Sequence, residues 1–371
     1  MNLKQISVFN FKNYASLALV FSADINCLVG ENGSGKTNLL DAIHYLTLTK
    51  SAFNAIDGQN IRHEEEFFVV KGIFEQPQAR PTEVACSVQQ GQKKTFLANQ
   101  KPYERISEHI GRFPVVMIAP QDMALIQEGS EQRRSFFDNM LCQIDAEYLA
   151  RLMRYNYALR QRNALLKQIA EQPRADLTLI EVYDQTILQE GAILYAQRAA
   201  FVAEFVPIFA THYQTLSLGK EDVKIDYRSD FAAQDYEAQY HKALLKDRVL
   251  QRTTQGIHKD EYQLLMDGYA LKKFGSQGQQ KSFLIALKLA QFDCMAAAKG
   301  QKPLLLLDDI FDKLDDHRMQ QLIALVAGGH FGQIFITDAR PERTRTLLQT
   351  VAAEKRLFTL QKGALTGQEI L

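Results

Sequence analysis

The chain has 371 residues, 46% of them hydrophobic, which suits one large domain with an insertion or two domains. Lys plus Arg and Asp plus Glu both total 43, so the net charge is zero, and any contact with a polyanion must come from a local basic patch. Cys27, Cys86, Cys142 and Cys294 lie far apart, which excludes a disulfide-dense or metal-ribbon scaffold and fits small buried hydrophobes.

In chain order, Leu3 to Phe9 and Ser16 to Phe21 read as strands joined by Asn10-Phe11-Lys12-Asn13-Tyr14. Ile25 to Val29 is apolar and β-leaning. Gly30-Glu31-Asn32-Gly33-Ser34-Gly35-Lys36-Thr37 follows and fits G-x-x-x-x-G-K-[ST]; after it, Asn38 to Leu46 carries apolar residues at helical spacing. Strand, loop and helix together are the context of a phosphate-binding loop. The glycines let backbone N–H groups turn toward phosphate oxygens, and the helix N-terminus adds partial positive charge. Lys36 is expected to reach the outer phosphates and Thr37 to hold Mg²⁺ through its hydroxyl.

Lys50 to Arg62 is polar and turn-rich. β-like runs follow at Phe67–Glu75, Thr82–Gln89 and Lys93–Leu97, which predict an antiparallel layer attached to the nucleotide core. Val115 to Ala119 is a short buried strand ended by Pro120. Beyond it the composition turns helical. Two antiparallel segments are expected, Asp145–Glu171 and Leu177–Val206, turning near Pro173 and ending before Pro207, each about 40 Å long at ~1.5 Å per residue. A strand near Val223–Tyr227 and a helix near Tyr236–Leu250 come next. The core resumes at Thr253, with a strand at Glu261–Met266, a helix over Ser276–Ala298, a buried strand at Pro303–Leu307, a helix at Gln320–Val326, a strand at Gln333–Thr337 and an edge strand at Arg356–Leu360. The expected domains are therefore residues 1–120 plus 253–371 as one lobe and 121–252 as a mainly helical second lobe. No signal peptide opens the chain and no apolar run approaches the ~20 residues that cross a bilayer, so a soluble, cytoplasmic protein is expected.

The run Leu304-Leu305-Leu306-Leu307 ends in Asp308-Asp309. A carboxylate at the carboxyl end of a buried parallel strand sits at the ligand-binding edge of the sheet. Asp308 is expected to hold Mg²⁺ as a Walker B acid, and Asp309 to polarise the attacking water. Upstream, Gly275-Ser276-Gln277-Gly278-Gln279-Gln280 opens a helix whose N-terminus and Ser276 hydroxyl can donate to an anion.

The order phosphate loop, helical insertion, S-x-G-Q helix start and L-L-L-L-D-D resembles the SMC-like group of ABC-type ATPases, and within it the RecF family of bacterial recombination mediators. The resemblance rests on Asn10 to Tyr14, Gly30 to Ile43, Ala119-Pro120-Gln121-Asp122, Arg133 to Asp138, Gly256 to Asp260, Ser276 to Gln280 and Leu305 to Asp315. The family usually has Pro and Arg at Ile257 and Lys259, Glu at Gln121 and Asp41, and a basic residue after Ser51, where Ala52 stands. The resemblance implies an α/β fold: an ABC/SMC-like P-loop ATPase head with an attached antiparallel β layer and an inserted short helical arm. It implies that Ser276, Gln277 and Gly278 contact the γ-phosphate of ATP held by a second copy's loop, so that ATP and Mg²⁺ join two heads in a homodimer. Gln121 would stand at the Q-loop and Asp312 to Asp315 at the D-loop. Thr337 or Asp338 occupies the place where related ATPases keep a His. Slow hydrolysis would reset a clamp on gapped or duplex DNA that works with RecR and RecO to load RecA. A transport-type or phage-defence ATPase of the same superfamily is the alternative.

Arg151, Arg154, Arg160, Arg162 and Lys167 are five basic residues in a stretch without acids, and Arg151, Arg154 and Arg162 can share a helix face. Clustered cations suit phosphate contacts with DNA. They equally suit a plain solvated helix face, and both readings stand at this point, as they do for Arg133-Arg134.

Overall fold

The computed structural model describes residues 1–77, 79–171, 178–217, 219, 221–310, 316–349 and 351–371. It divides into two compact units, Met1–Asp122 with Leu287–Leu371, and Met123–Ala286.

The first unit holds two sheets. One is mixed and six-stranded, in the order Ala364–Ile370, Lys355–Gln361, Ile25–Val29, Ile334–Asp338, Leu304–Leu307, Val115–Ile118. Its last five strands are mutually parallel, so their carboxyl ends gather at one edge. The other is antiparallel, in the order Tyr14–Val20, Asn2–Phe11, Phe67–Glu75, Thr82–Gln89, Thr95–Ala98, Lys101–Pro102. The helix Lys36–Leu48 touches strands of both sheets. This is why its sequence is apolar almost all round: Leu39, Leu40, Ala42, Ile43, Tyr45 and Leu46 are wholly buried. Each such aliphatic side chain is worth ~2 kcal/mol of burial, so the two layers fix where the loop before this helix stands.

Arg356–Leu360 was expected as an edge strand. The strand Lys355–Gln361 instead lies inside the sheet, because Ala364–Ile370 pairs with it. That outer strand is exposed along most of its length and carries no hydrophobic alternation to announce it. The signal is the turn: Gln361 pairs with Ala364 across Lys362-Gly363, and both turn residues have positive φ, the geometry that tight hairpins prefer.

The second unit is built on the helices Ser130–Ile144, Ala146–Glu171 and Thr178–Ser217, with a three-stranded antiparallel sheet in the order Tyr269–Ala270, Glu261–Met266, Val223–Arg228. Residues 253–286, expected in the head lobe, lie in this unit. Glu261–Met266 pairs along its whole length with Val223–Arg228, and Tyr262 stacks on Phe137 with centroids 4.2 Å apart. The expected turn at Pro173 and the start at Leu177 lie outside the described residues. Tyr236–Leu250 is two helices, Tyr236–Lys242 and Leu244–Leu250.

The second long helix does not stop before Pro207 but runs through it to Ser217, about 60 Å in all. Ile187, Gly191, Leu194, Arg198, Val202, Phe205, Phe209, Tyr213 and Leu216 form one buried stripe on both sides of the proline, and that packing outweighs the lost backbone hydrogen bond. By length and composition this helix reaches the threshold for crossing a membrane, contrary to the sequence expectation. Its buried stripe, however, includes Asp184 and Arg198, both in ion pairs, as in a helix packed within a protein.

In the first unit His109 is buried, with Nε2 2.7 Å from the Leu46 carbonyl and Nδ1 2.9 Å from the Tyr103 hydroxyl. Burial lowers its pKa to about 4. The unfolded chain therefore takes up a proton near pH 6.5 that the folded one refuses, so stability falls as pH drops from 6.5 toward 4. His109 alone is expected to contribute ~2 kcal/mol to the loss between pH 7 and 5. Thermal unfolding at the two pH values checks this: His109→Gln should show the smaller difference.

Candidate functional site

The phosphate loop leaves the carboxyl end of Ile25–Val29, in the interior of the parallel strands. Gly30 has φ +150°, and a Cβ there would stand 2.2 Å from the Leu360 carbonyl oxygen. Gly35 has φ +112°, and its Cβ would meet Asn13 Nδ2 at 2.7 Å and the Tyr14 hydroxyl at 2.8 Å. Both positions require glycine for backbone shape and for room. The loop is held from behind by groups that its own motif does not reveal. Tyr14 Oη donates to the Gly35 carbonyl at 3.0 Å, Asn38 Nδ2 donates to Asn13 Oδ1 at 2.8 Å, and the Gly363 N–H donates to the Ser34 carbonyl at 2.9 Å. Sequence reasoning took Asn10–Tyr14 as a connection and as a stretch shared with the RecF family, with no role in holding the loop. A tyrosine and an asparagine closing a strand turn ahead of a glycine loop were the available signal.

A pocket of about 200 Å³ is lined by Asn32, Gly33, Gly35, Lys36, Thr37, Asn38, Asp309 and Thr337. Lys36 Nζ donates to the carbonyls of Gly30 at 2.6 Å and Glu31 at 2.9 Å. Burial lowers its pKa, and the nearby carboxylates of Asp309, Asp308 and Asp338 oppose that shift. Asp308 continues the Leu304–Leu307 strand, its N–H donating to the Ile118 carbonyl at 2.8 Å. Its carboxylate accepts from Thr37 Oγ1 at 2.9 and 3.1 Å and from Thr337 Oγ1 at 2.8 Å. Burial pushes this carboxyl up, while the Thr337 and Thr37 hydroxyls hold it down. The Asp309 N–H donates to Thr337 Oγ1 at 2.8 Å, and Asp309 has φ +48°. One threonine thus bonds both the Asp308 carboxylate and the Asp309 main chain. Asp338, the other residue weighed at that position, is engaged elsewhere. Arg343, the Thr344 hydroxyl and the Arg340 N–H all donate to its carboxylate, which anchors the helix Pro341–Leu348.

Lys36, Thr37, Asp308 and Asp309 are thus gathered with Gly30 to Gly35. Gln121 is exposed on the turn Pro120–Met123 and does not line the pocket. In the second unit Ser276 caps the helix Gln277–Lys299: its Oγ accepts from the Gln279 N–H at 3.2 Å and the Gln279 side chain accepts from the Ser276 N–H at 2.7 Å. Ser276 and Gln277 are exposed and Gly278 is half-buried. Asp312 to Asp315 lie outside the described residues.

The helix face that Arg151, Arg154 and Arg162 were expected to share is not an open row of cations. Arg162 is fully buried, donating to Asp184 at 2.5 Å, Asp247 at 2.7 Å and the Thr253 hydroxyl at 2.9 Å. Arg151 and Arg154 both pair with Glu147 and Glu190, at 2.6 to 3.3 Å, which offsets their charge. Arg160 and Lys167 are exposed. Arg133 pairs with Glu261 at 2.9 Å, and Arg134 donates to the Asp260 carbonyl at 2.7 Å.

This fold and this pocket define an ABC-type ATPase head of the SMC-like kind. The model of the RecF/RecN/SMC N-terminal domain matches residues 2–356. The chain is 45% identical over 369 residues to the DNA replication and repair protein RecF of Bacteroides fragilis, covering 100% of this chain and 99% of the relative. It is 46% identical over 370 residues to the RecF of Phocaeicola vulgatus, with the same coverage. A structure of the recombination mediator protein RecF in the RecFOR pathway, solved as RecF-ATPrS, superposes with a TM-score of 0.88 at 26% identity, covering 100% of this chain and 98% of that one. A Smc head domain from Pyrococcus furiosus shares the fold, with a TM-score of 0.59 at 15% identity and coverage of 100% and 96%. The chain belongs to the RecF family.

Gly30→Ala is expected to cost on the order of 2 kcal/mol through the forced backbone. It should also weaken nucleotide binding at least tenfold, measured by titration with a fluorescent ATP analogue.

Proposed function

We propose that the chain is an ATP-dependent DNA-binding protein of replication and repair, in which ATP joins two copies into a clamp and hydrolysis releases it. The observation that carries this reading is the convergence of Lys36, Thr37, Asp309 and Thr337 on one pocket at the phosphate loop, with Asp308 bonded to both threonines. The RecF relatives and the RecF-ATPrS structure support ATP as the nucleotide. Thr37 and Asp308 offer hard oxygen donors, and Asp308 is a buried carboxylate facing two hydroxyls, a donor set that fits Mg²⁺. When bound there, Mg²⁺ would neutralise charge on the outer phosphates.

The chain's own groups do the rest. The loop N–H groups and Lys36 hold the phosphates. Asp309 takes a proton from the attacking water, its backbone fixed by Thr337. Thr337 fills the place of the absent His. Gln121, exposed beside the end of the first unit, links nucleotide state to the second unit. Ser276, Gln277 and Gly278 are accessible on the second unit and serve the pocket of another copy, because each chain carries one phosphate loop and one such helix start. The Ser276 hydroxyl accepts a bond from its own helix, which leaves its proton to give to a phosphate oxygen. Hydrolysis is slow, DNA-stimulated and used as a switch. The RecFOR setting of the solved relative supports RecR and RecO as partners in loading RecA onto gapped DNA, in the cytoplasm.

Light scattering with ATP and Mg²⁺ tests the pairing: mass should double with nucleotide, and a chain that stays monomeric at every concentration defeats it. Lys36→Met should abolish ATP binding and pairing together. Asp309→Asn keeps a residue that tolerates positive φ, so it should bind ATP normally, lower turnover at least tenfold and prolong the dimer. Wild-type turnover in that variant removes Asp309 from the proposed role.

A further inference from the structure

Several basic residues of the second unit that pair with no carboxylate among the described residues are tied to one turn, Gly256–Asp260. The turn is held from within by an unusual number of buried groups. His258 Nε2 is 3.1 Å from the Thr253 carbonyl and Nδ1 is 2.8 Å from the Tyr155 hydroxyl. Burial lowers the His258 pKa to about 4, so the ring is neutral; Nε2–H donates to the carbonyl and Nδ1 accepts from the tyrosine. Arg198, only 2% exposed, donates to the Ile257 carbonyl at 2.9 Å and to Asp260 at 2.7 Å. Tyr227 donates to Asp260 at 2.6 Å. Gly256 has φ +132°, and a Cβ there would lie 2.5 Å from the Tyr155 hydroxyl. Ile257 and Asp260 are buried and His258 is tied down, so Lys259 is the side chain the turn exposes.

Other cations surround it. Arg134 reaches the next carbonyl, that of Asp260. Arg252 is exposed and precedes Thr253, whose N–H and hydroxyl both donate to Asn163 Oδ1, at 2.7 and 2.8 Å. Asn163 lies three residues after Arg160 and four before Lys167, so the three share one helix face, which Thr253 joins to the turn. Arg160, Lys167, Arg252 and Lys259 have no carboxylate partner among the described residues, and the buried Asp247 is taken by Arg162 and Thr254. Partial burial, then the charges of Arg252 and Arg134, lower the pKa of Lys259, and Asp247 opposes them.

We propose that Arg134, Arg160, Lys167, Arg252 and Lys259 form a contact strip for the phosphodiester backbone of nucleic acid, with Lys259 held forward by the Gly256–Asp260 turn. Like charges kept together by a rigid scaffold repel one another until an anion comes between them, and a row of phosphates supplies anions along the strip. Contacts of this kind position a duplex without reading its sequence. This strip rests on the DNA-binding reading above and gives it an address.

The test uses the full chain with ATP and Mg²⁺ and a fluorescent duplex, read by anisotropy at several salt concentrations. The double variant Arg252→Glu and Lys259→Glu should bind at least tenfold more weakly and lower the salt slope by about two. Lys259→Arg should bind like the wild type, and so should Arg151→Ala with Arg154→Ala, whose charges Glu147 and Glu190 already offset. Wild-type affinity in the double variant, or an equal loss in the Arg151 and Arg154 variant, overturns the strip while wild-type DNA binding keeps the broader reading. No binding by the wild type overturns both. A measurement without substitution guards against misfolding: acetylation of Lys167 and Lys259 in the native chain should slow several-fold when duplex is added, and unchanged labelling overturns the strip.

Discussion

The Asp308 carboxylate is the point at which the first unit closes. It is buried at the end of a strand of four leucines, where an unpaired charge would be costly, and it stands only because Thr37 and Thr337 donate to it. Those donors come from opposite ends of the chain: one opens the helix after the phosphate loop, the other ends the strand Ile334–Asp338. The pocket therefore cannot form until residues three hundred positions apart, Thr37 and Thr337, are both in place. The parallel pairing of Ile25–Val29 with Ile334–Asp338, and of Leu304–Leu307 with Val115–Ile118, supplies that placement. Strand order and site geometry are one constraint here, since slipping either strand by one residue would turn its functional side chain to the other face.

The nucleotide half of the molecule was legible because its signals are local and chemically narrow. A glycine loop with Lys-Thr between an apolar strand and an apolar helix has few other uses, and a fully apolar strand ending in two acids has few other places. The groups that hold the loop from behind were not legible. Tyr14, Asn13 and Gly363 act through contacts with Gly35, Asn38 and Ser34 that no spacing rule contains. Thr337 could be placed on the sequence, but its choice over Asp338 depended on which side chain turned toward Asp308 and which toward Arg343.

The helical half shows the opposite case. A count of cations along Ala146–Glu171 finds five, but charge on a helix acquires meaning only from its neighbours. Glu190 on the facing helix offsets two of them, and Asp184 with Asp247 draws a third into the interior, where removing either acid would strand a buried guanidinium. Pro207 misled for a similar reason. Local propensity put a helix end there, and the aromatic stripe Phe205, Phe209 and Tyr213 carried the helix past it.

The left-handed backbone at Asp309 limits what can occupy that position. Asp and Asn accept φ near +50° at little cost, whereas a longer acid lacks their short-range hydrogen bonding to the backbone and fits this region less well. A glutamate would carry its carboxylate farther from the main chain, but only by straining the turn that Thr337 holds. Reach and backbone shape are thus opposed at a single residue.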